Sequence, residues 1–229
     1  MATKGVTPAS RAARVGLGSK PRVDREERRE LYLRIAAEVF LRKGLNTATM
    51  QDVADALGAP KVLIYRIFPN KQALMDALLE RVLSAIHDAY AQPYRAYGER
   101  VLQIVRTARE HPDLFLLVLR YSRGGAEQNR WRAEIWETFA AYVEARWFLP
   151  GEGVAPGAGG RARLAALQVV GPIVDVLINW LEGADGLTDA ARAEWWGRVS
   201  REYHRALRDA FRLGAPPTRY GFENDEIET

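Results

Sequence analysis

Through residues 24–213 the apolar side chains return every three or four positions, and no run alternates polar and apolar residues for long enough to make a strand. That spacing suits helices, so the chain is expected to be all-α. With 48% hydrophobic residues over 229 positions, it can bury the core of one large or two modest helical domains. The ends break the pattern. Residues 1–23 are basic and rich in Ala, Gly and Ser, and residues 214–229 hold two prolines and four acids. Both are expected to be flexible, as an arm and a tail.

Start and stop signals divide the helical stretch. Asp24 is placed to cap a first helix with Glu27 reaching back, and Leu31, Ile35, Ala36, Val39 and Phe40 make its inner face up to a stop at Gly44. Thr49 and Asp52 have the spacing of a capping box, followed by Val53, Ala54 and Leu57 and then Gly58. Pro60 fits the first position of a third helix, which points Ile64 and Phe68 inward. Asn70 caps a fourth, whose Leu74, Leu78, Val82 and Ile86 run on towards Pro93. Residues 24–74 therefore form three compact helices, joined by a long connector helix to a helical bundle over 75–213. Within it, helices are expected at 94–109, 113–120, 126–148, 161–181 and 188–213, with a Gly- and Pro-rich loop at 150–160.

Composition removes several alternatives. With no cysteine there are no disulfides, thiolate metal sites or cysteine nucleophiles, which fits a reducing cytoplasm. The most apolar stretch, 169–181, is shorter than the roughly 20 residues that cross a bilayer, and Asp175 interrupts it, so no membrane partner is expected. The arm lacks acids but also lacks the apolar core of a secretory signal. Charge is uneven: residues 1–74 hold 14 Lys and Arg against 7 acids, and the remainder 19 against 22. A basic N-terminal third beside a slightly acidic remainder suits a DNA-contacting module joined to a different kind of domain, although a solvated surface gives the same count.

The second and third helices, turning through Gly58 and Ala59, have the lengths of a helix-turn-helix, whose second helix enters the major groove. Small helical hairpins without DNA share that spacing. The residue types are more specific: 49–74, T-M-Q-D-V-A-D-A-L-G-A-P-K-V-L-I-Y-R-I-F-P-N-K-Q-A-L, closely resembles the signature of the tetracycline-repressor (TetR) family, and Ala36, Phe40 and Gly44 extend the likeness back to about residue 28. The resemblance covers roughly 50 residues. It implies a homodimer on two half-sites of a palindromic double-stranded operator, usually a repressor released by a small effector in the C-terminal domain.

Side-chain chemistry at the matching positions agrees. Thr49, at a helix N-terminus, suits a phosphate; Lys61 and Lys71 supply charge; Tyr65 can donate its hydroxyl. Base reading falls to Lys61, Val62, Leu63 and Arg66, with Gln51 as a further candidate, and Arg66 can take a guanine edge bidentately. The chain departs from the family pattern at Pro60, Val62 and Leu63, where Ser, Gly or Ala, and Thr or Ser are usual. Leu63 either meets a thymine methyl or packs internally. The basic arm, with Lys4, Arg11, Arg14, Lys20 and Arg22, is read as a solubilising tail before a DNA contact.

All six tryptophans lie after residue 130. The residues taken to line an apolar pocket for a small lipophilic or aromatic effector are Phe115, Leu119, Tyr121, Trp136, Phe139 and Tyr142, although core packing accounts for most aromatics. Asp175 and Asn179 are the polar candidates, with a structural ion pair the first reading for Asp175. Two stripes suit the interface that the family makes from its last two long helices: Leu164, Leu167, Gly171 and Ile178 on one, Trp196, Val199, Tyr203 and Leu207 on the other. His87, His111 and His204 are isolated and no nucleophile elbow occurs, so no enzyme activity, metal or cofactor is expected. The rival reading is a helical carrier of lipophilic molecules that does not bind DNA.

Overall fold

The structure is a computed structural model that describes residues 25–124, 129–148, 158–183, 186–211 and 213. The arm, the tail, the Asp24 cap and most of the 150–160 loop lie outside the described residues. The described residues contain helices and no strand.

Helix α1 (Arg25–Lys43) buries Ala36, Val39 and Phe40 as expected, but Leu33 takes the inward place expected for Leu31, which is 39% exposed, and Ile35 is half-buried; the helix stops where Gly44, at φ 86°, returns its N–H to the Phe40 carbonyl. Helix α2 (Met50–Leu57) opens on the expected capping box. The Asp52 N–H donates to the Thr49 hydroxyl, and the Thr49 N–H donates back to the Asp52 carboxylate at 2.7 Å. Gly58 closes it in the left-handed conformation at φ 59°. Helix α3 (Lys61–Tyr65) begins one residue later than Pro60 suggests, because the extended ψ of 133° makes that proline the cap. Helix α4 (Lys71–Ala91) is capped by Asn70 and runs unbroken across the boundary expected at residue 74.

In the bundle, the residues after α4 delay helix α5 (Glu99–Ala108) past the start expected at 94. Helix α6 (Pro112–Ser122) packs along α1. The segment expected as one helix over 126–148 is α7 (Asn129–Val143) followed by a π-helical turn (Glu144–Phe148). The Trp147 carbonyl at that turn accepts from His204 Nε2 at 2.9 Å and Arg208 Nη1 at 2.8 Å, which ties the turn to the last helix. Helix α8 (Ala158–Glu182) is longer than the apolar stretch read at 169–181, and by length and apolarity alone it reaches what a bilayer crossing needs. It packs against α5, α6, α7 and α9, and 56% of its apolar window is buried in protein, as befits the central core helix. Helix α9 (Asp189–Ala210), capped by Thr188, crosses the loop before α5 where Gly98 meets Gly197. A Cβ on Gly98 would lie 2.1 Å from the Ala193 carbonyl oxygen, so the crossing requires glycine.

Candidate nucleic-acid interface

The hairpin of α2 and α3 is anchored by buried Val53, Ala54, Ile64 and Phe68. Ile64 faces the core, so its neighbours on α3 face outward: Val62 is 56% exposed, Leu63 37% and Tyr65 38%. Leu63 is therefore directed to solvent and not packed internally. Lys61 sits 5.5 Å from the Tyr65 ring centroid, and exposed Arg66 makes no side-chain hydrogen bond or ion pair among the described residues. An outward strip of two cations, a phenol and two aliphatic side chains offers both phosphate and base-edge contacts.

Other expected contacts are engaged within the protein. The Thr49 hydroxyl donates to Asp52 at 2.8 Å, and Gln51 Nε2 donates to Asp55 at 2.7 Å; both residues are exposed. Lys43 pairs with Asp52 at 2.6 Å, and this bond, then those from Thr49, hold the Asp52 carboxyl down at about 2. Lys71 departs furthest from expectation. Its ammonium turns inward, donating to the carbonyls of Leu45 at 2.5 Å and Ala48 at 2.6 Å over the Phe40 ring, and burial lowers its pKa. It closes the α1–α2 turn, whose carbonyls draw the cation in, so its donors are engaged within the protein and are not free for the phosphate contact expected of it. Tyr121, expected in the pocket, instead accepts the Leu45 N–H at 2.5 Å and ties α6 to that turn.

A second feature lies at the far end of α4, a cavity of about 50 Å³. Of the expected pocket residues, Phe139 and Tyr142 line it. Phe115 and Leu119 are fully packed core residues instead, and Trp136 is half-buried beneath the Arg132 guanidinium. Asp175 pairs with Arg123 at 3.1 Å on the outer side of α8, and exposed Asn179 borders a separate open groove with Val176, Leu187 and Trp195. Neither reaches the cavity, because the buried face of α8 is the opposite one. Sequence reading missed Tyr90, Tyr94, Tyr97, Arg100, Trp147 and Ser200 around it. The available signal was Arg100, a charge in register with Val101, Ile104 and Ala108 on an otherwise apolar stripe.

The expected interface residues also divide. Leu164 is 54% exposed and Val199 38%, while Leu167, Gly171 and Tyr203 are half-buried. Ile178, Trp196 and Leu207 are buried within the chain's own core, at 5%, 5% and 8% exposure. The stripe on α9 is therefore rotated by about one residue from the sequence reading: Trp195, at 53%, is the outward tryptophan in place of Trp196.

Residues 33–78 match the model of bacterial regulatory proteins of the tetR family. Over 74 residues the chain is 35% identical to the HTH-type transcriptional activator FasR of Mycolicibacterium smegmatis, covering 32% of this chain and 34% of that protein. Over 65 residues it is 34% identical to the HTH-type transcriptional repressor KstR2 of Rhodococcus jostii, covering 28% of this chain and 32% of that one. The chain thus spans about a third of the length of the curated relatives it matches. The fold as a whole is similar to the crystal structure of AibR in complex with isovaleryl coenzyme A and operator DNA, at 18% identity and a TM-score of 0.52 over 73% of this chain and 95% of that one.

Proposed function

We propose, for a chain that belongs to the TetR family of transcriptional regulators, that it is a dimeric operator-binding repressor, acting in the cytoplasm and released by a small effector. The observation that carries this reading is α3, whose anchored Ile64 leaves Lys61, Val62, Leu63, Tyr65 and Arg66 facing outward on a capped hairpin. Exposed Thr49 and Gln51 at the start of α2 supplement these contacts, with their donors shared with Asp52 and Asp55. The DNA-binding module ends near residue 74, and 75–213 senses and dimerises. Leu164, Leu187, Trp195 and Val199 give α8, α9 and their junction an exposed apolar face, the chemistry a second copy would cover. For the effector, AibR supports a small-molecule partner by its complex with isovaleryl coenzyme A, and the cavity beside Phe139 and Tyr142 is the place for it in this chain.

Selection of bound sequences from a random duplex pool tests the proposal. An inverted repeat should be enriched, with half-sites about 34–36 Å apart, bound by two chains. No enriched repeat, or a single chain on a lone half-site, would reject it. Placing the selected operator before a reporter reads the sign: expression rises on removal of a repressor, and a fall would make the protein an activator.

A further inference from the structure

Arg100 is 8% exposed and lies on the apolar face of α5. Its Nε donates to the Tyr142 hydroxyl at 2.8 Å, and its Nη1 donates to the Ala89 carbonyl and to Gln103 Oε1 at 2.7 Å. The rings of Tyr94, Tyr142 and Tyr90 surround the guanidinium, with centroids 4.3, 5.4 and 5.9 Å from Cζ. Nη2 makes no hydrogen bond, and no carboxylate lies within ion-pair distance among the described residues. Buried Arg192, by contrast, has Asp189 at 3.8 Å. The phenols do not supply the missing negative charge: burial pushes Tyr142 up to about 12 and Tyr90 well above its ordinary value.

This cation borders the cavity, and among the described residues lining it Arg100 is the one that carries a charge. Phe139, Trp147, Ile173 and Trp196 make the walls apolar. Burying a charge without a counter-charge is costly, and a ligand that brings the anion recovers that cost on binding. We propose that the cavity takes a small organic monocarboxylate, whose carboxylate pairs with Arg100 and whose apolar body lies against Phe139, Trp147 and Trp196. A phosphate's second charge would meet no second cation there. The volume, about 50 Å³, favours a body of few carbons. This inference rests on the effector reading above and names the class of its ligand.

The test uses the full chain, with isobutyrate and benzoate as probes against their uncharged amides, isobutyramide and benzamide, and with phenyl phosphate as the dianion. Binding is read by tryptophan fluorescence and by the rise in melting temperature. At least one acid should bind tenfold or more tighter than its amide and tighter than phenyl phosphate. Arg100→Gln should reduce that acid to the level of its amide, with helix content unchanged by circular dichroism. Arg100→Lys keeps a cation at this position and should retain a preference for the acid over its amide, which preserves the test if Arg100→Gln fails to fold; loss of the preference in Arg100→Lys with the fold intact counts against the ion pair. Equal binding of acid and amide, binding of neither, a preference for phenyl phosphate, or a preference surviving in Arg100→Gln each overturns the proposal. Release of the operator by an amide as readily as by its acid would sink the carboxylate assignment and leave the effector reading intact. An acid that binds through Arg100 without moving the operator would do the reverse.

Discussion

The α2–α3 hairpin and the helical bundle each turn a cation inward, and they treat it in opposite ways. Lys71 is matched to two carbonyls of the α1–α2 turn, and the nearby Thr49, Asp52 and Lys43 complete one another's hydrogen bonds. The hairpin is a closed account of donors and acceptors, which leaves only its outer strip for a partner. Arg100 is held by rings and keeps a donor towards a cavity. The first arrangement is complete within the protein; the second leaves one guanidinium nitrogen without a hydrogen bond among the described residues. Helix α4 joins them, with Lys71 at its start and Tyr90 near its end, and its 21 residues span about 30 Å. Tyr121 adds a second tie from the bundle to Leu45.

The cavity side alone depends on the crossing of Gly98 and Gly197, and substitution there has the largest expected effect. Gly98→Ala forces a Cβ against the Ala193 carbonyl at a φ of 86°. It should cost about 3–5 kcal/mol in chemical denaturation. A loss below about 1 kcal/mol would show that the bundle yields there, against the packing described.

His204 gives the next largest effect. Its Nε2 donates to the Trp147 carbonyl, so Nδ1 accepts from the Tyr97 hydroxyl at 2.8 Å and the ring is neutral. Burial lowers its pKa from 6.5 to about 4. The unfolded chain therefore binds the proton first: this contribution is fully present above pH 6.5 and is lost as pH falls towards 4. The loss should reach about 2–3 kcal/mol, and His204→Gln should flatten that part of the stability profile. An unchanged profile in the variant would remove His204 from the account.

Tyr121→Phe should have the smallest effect on stability, about 1–2 kcal/mol for a stranded Leu45 N–H. If that bond couples the regions, effector-driven release of the operator should weaken by more than operator affinity does. Equal changes in both would make the bond structural only.

The sequence made the hairpin legible because its caps are local. Thr49 with Asp52, Gly58, and Asn70 act within a few residues of themselves, and spacing alone exposes them. The sensing side depends on groups distant in sequence. Arg100 meets Tyr142, and His204 meets Tyr97 and Trp147, through packing that periodicity does not encode. Lys71 misled because a lysine beside an expected interface looks like a phosphate contact, whereas the carbonyls that claim it lie 23 and 26 residues earlier. Trp195 and Trp196 differ by one position, and a helical stripe read without its partner cannot separate neighbours so closely spaced.

In the proposed mode of binding, α3 reads base sequence through Arg66. Its most direct test is the equilibrium affinity of the wild-type chain and of Arg66→Ala for the selected operator and for a scrambled duplex of equal length. The substitution should weaken the operator complex by about 2 kcal/mol, roughly 30-fold, and leave the scrambled duplex within about threefold. A wild-type chain that binds both duplexes alike, or a variant that loses both equally, would contradict it.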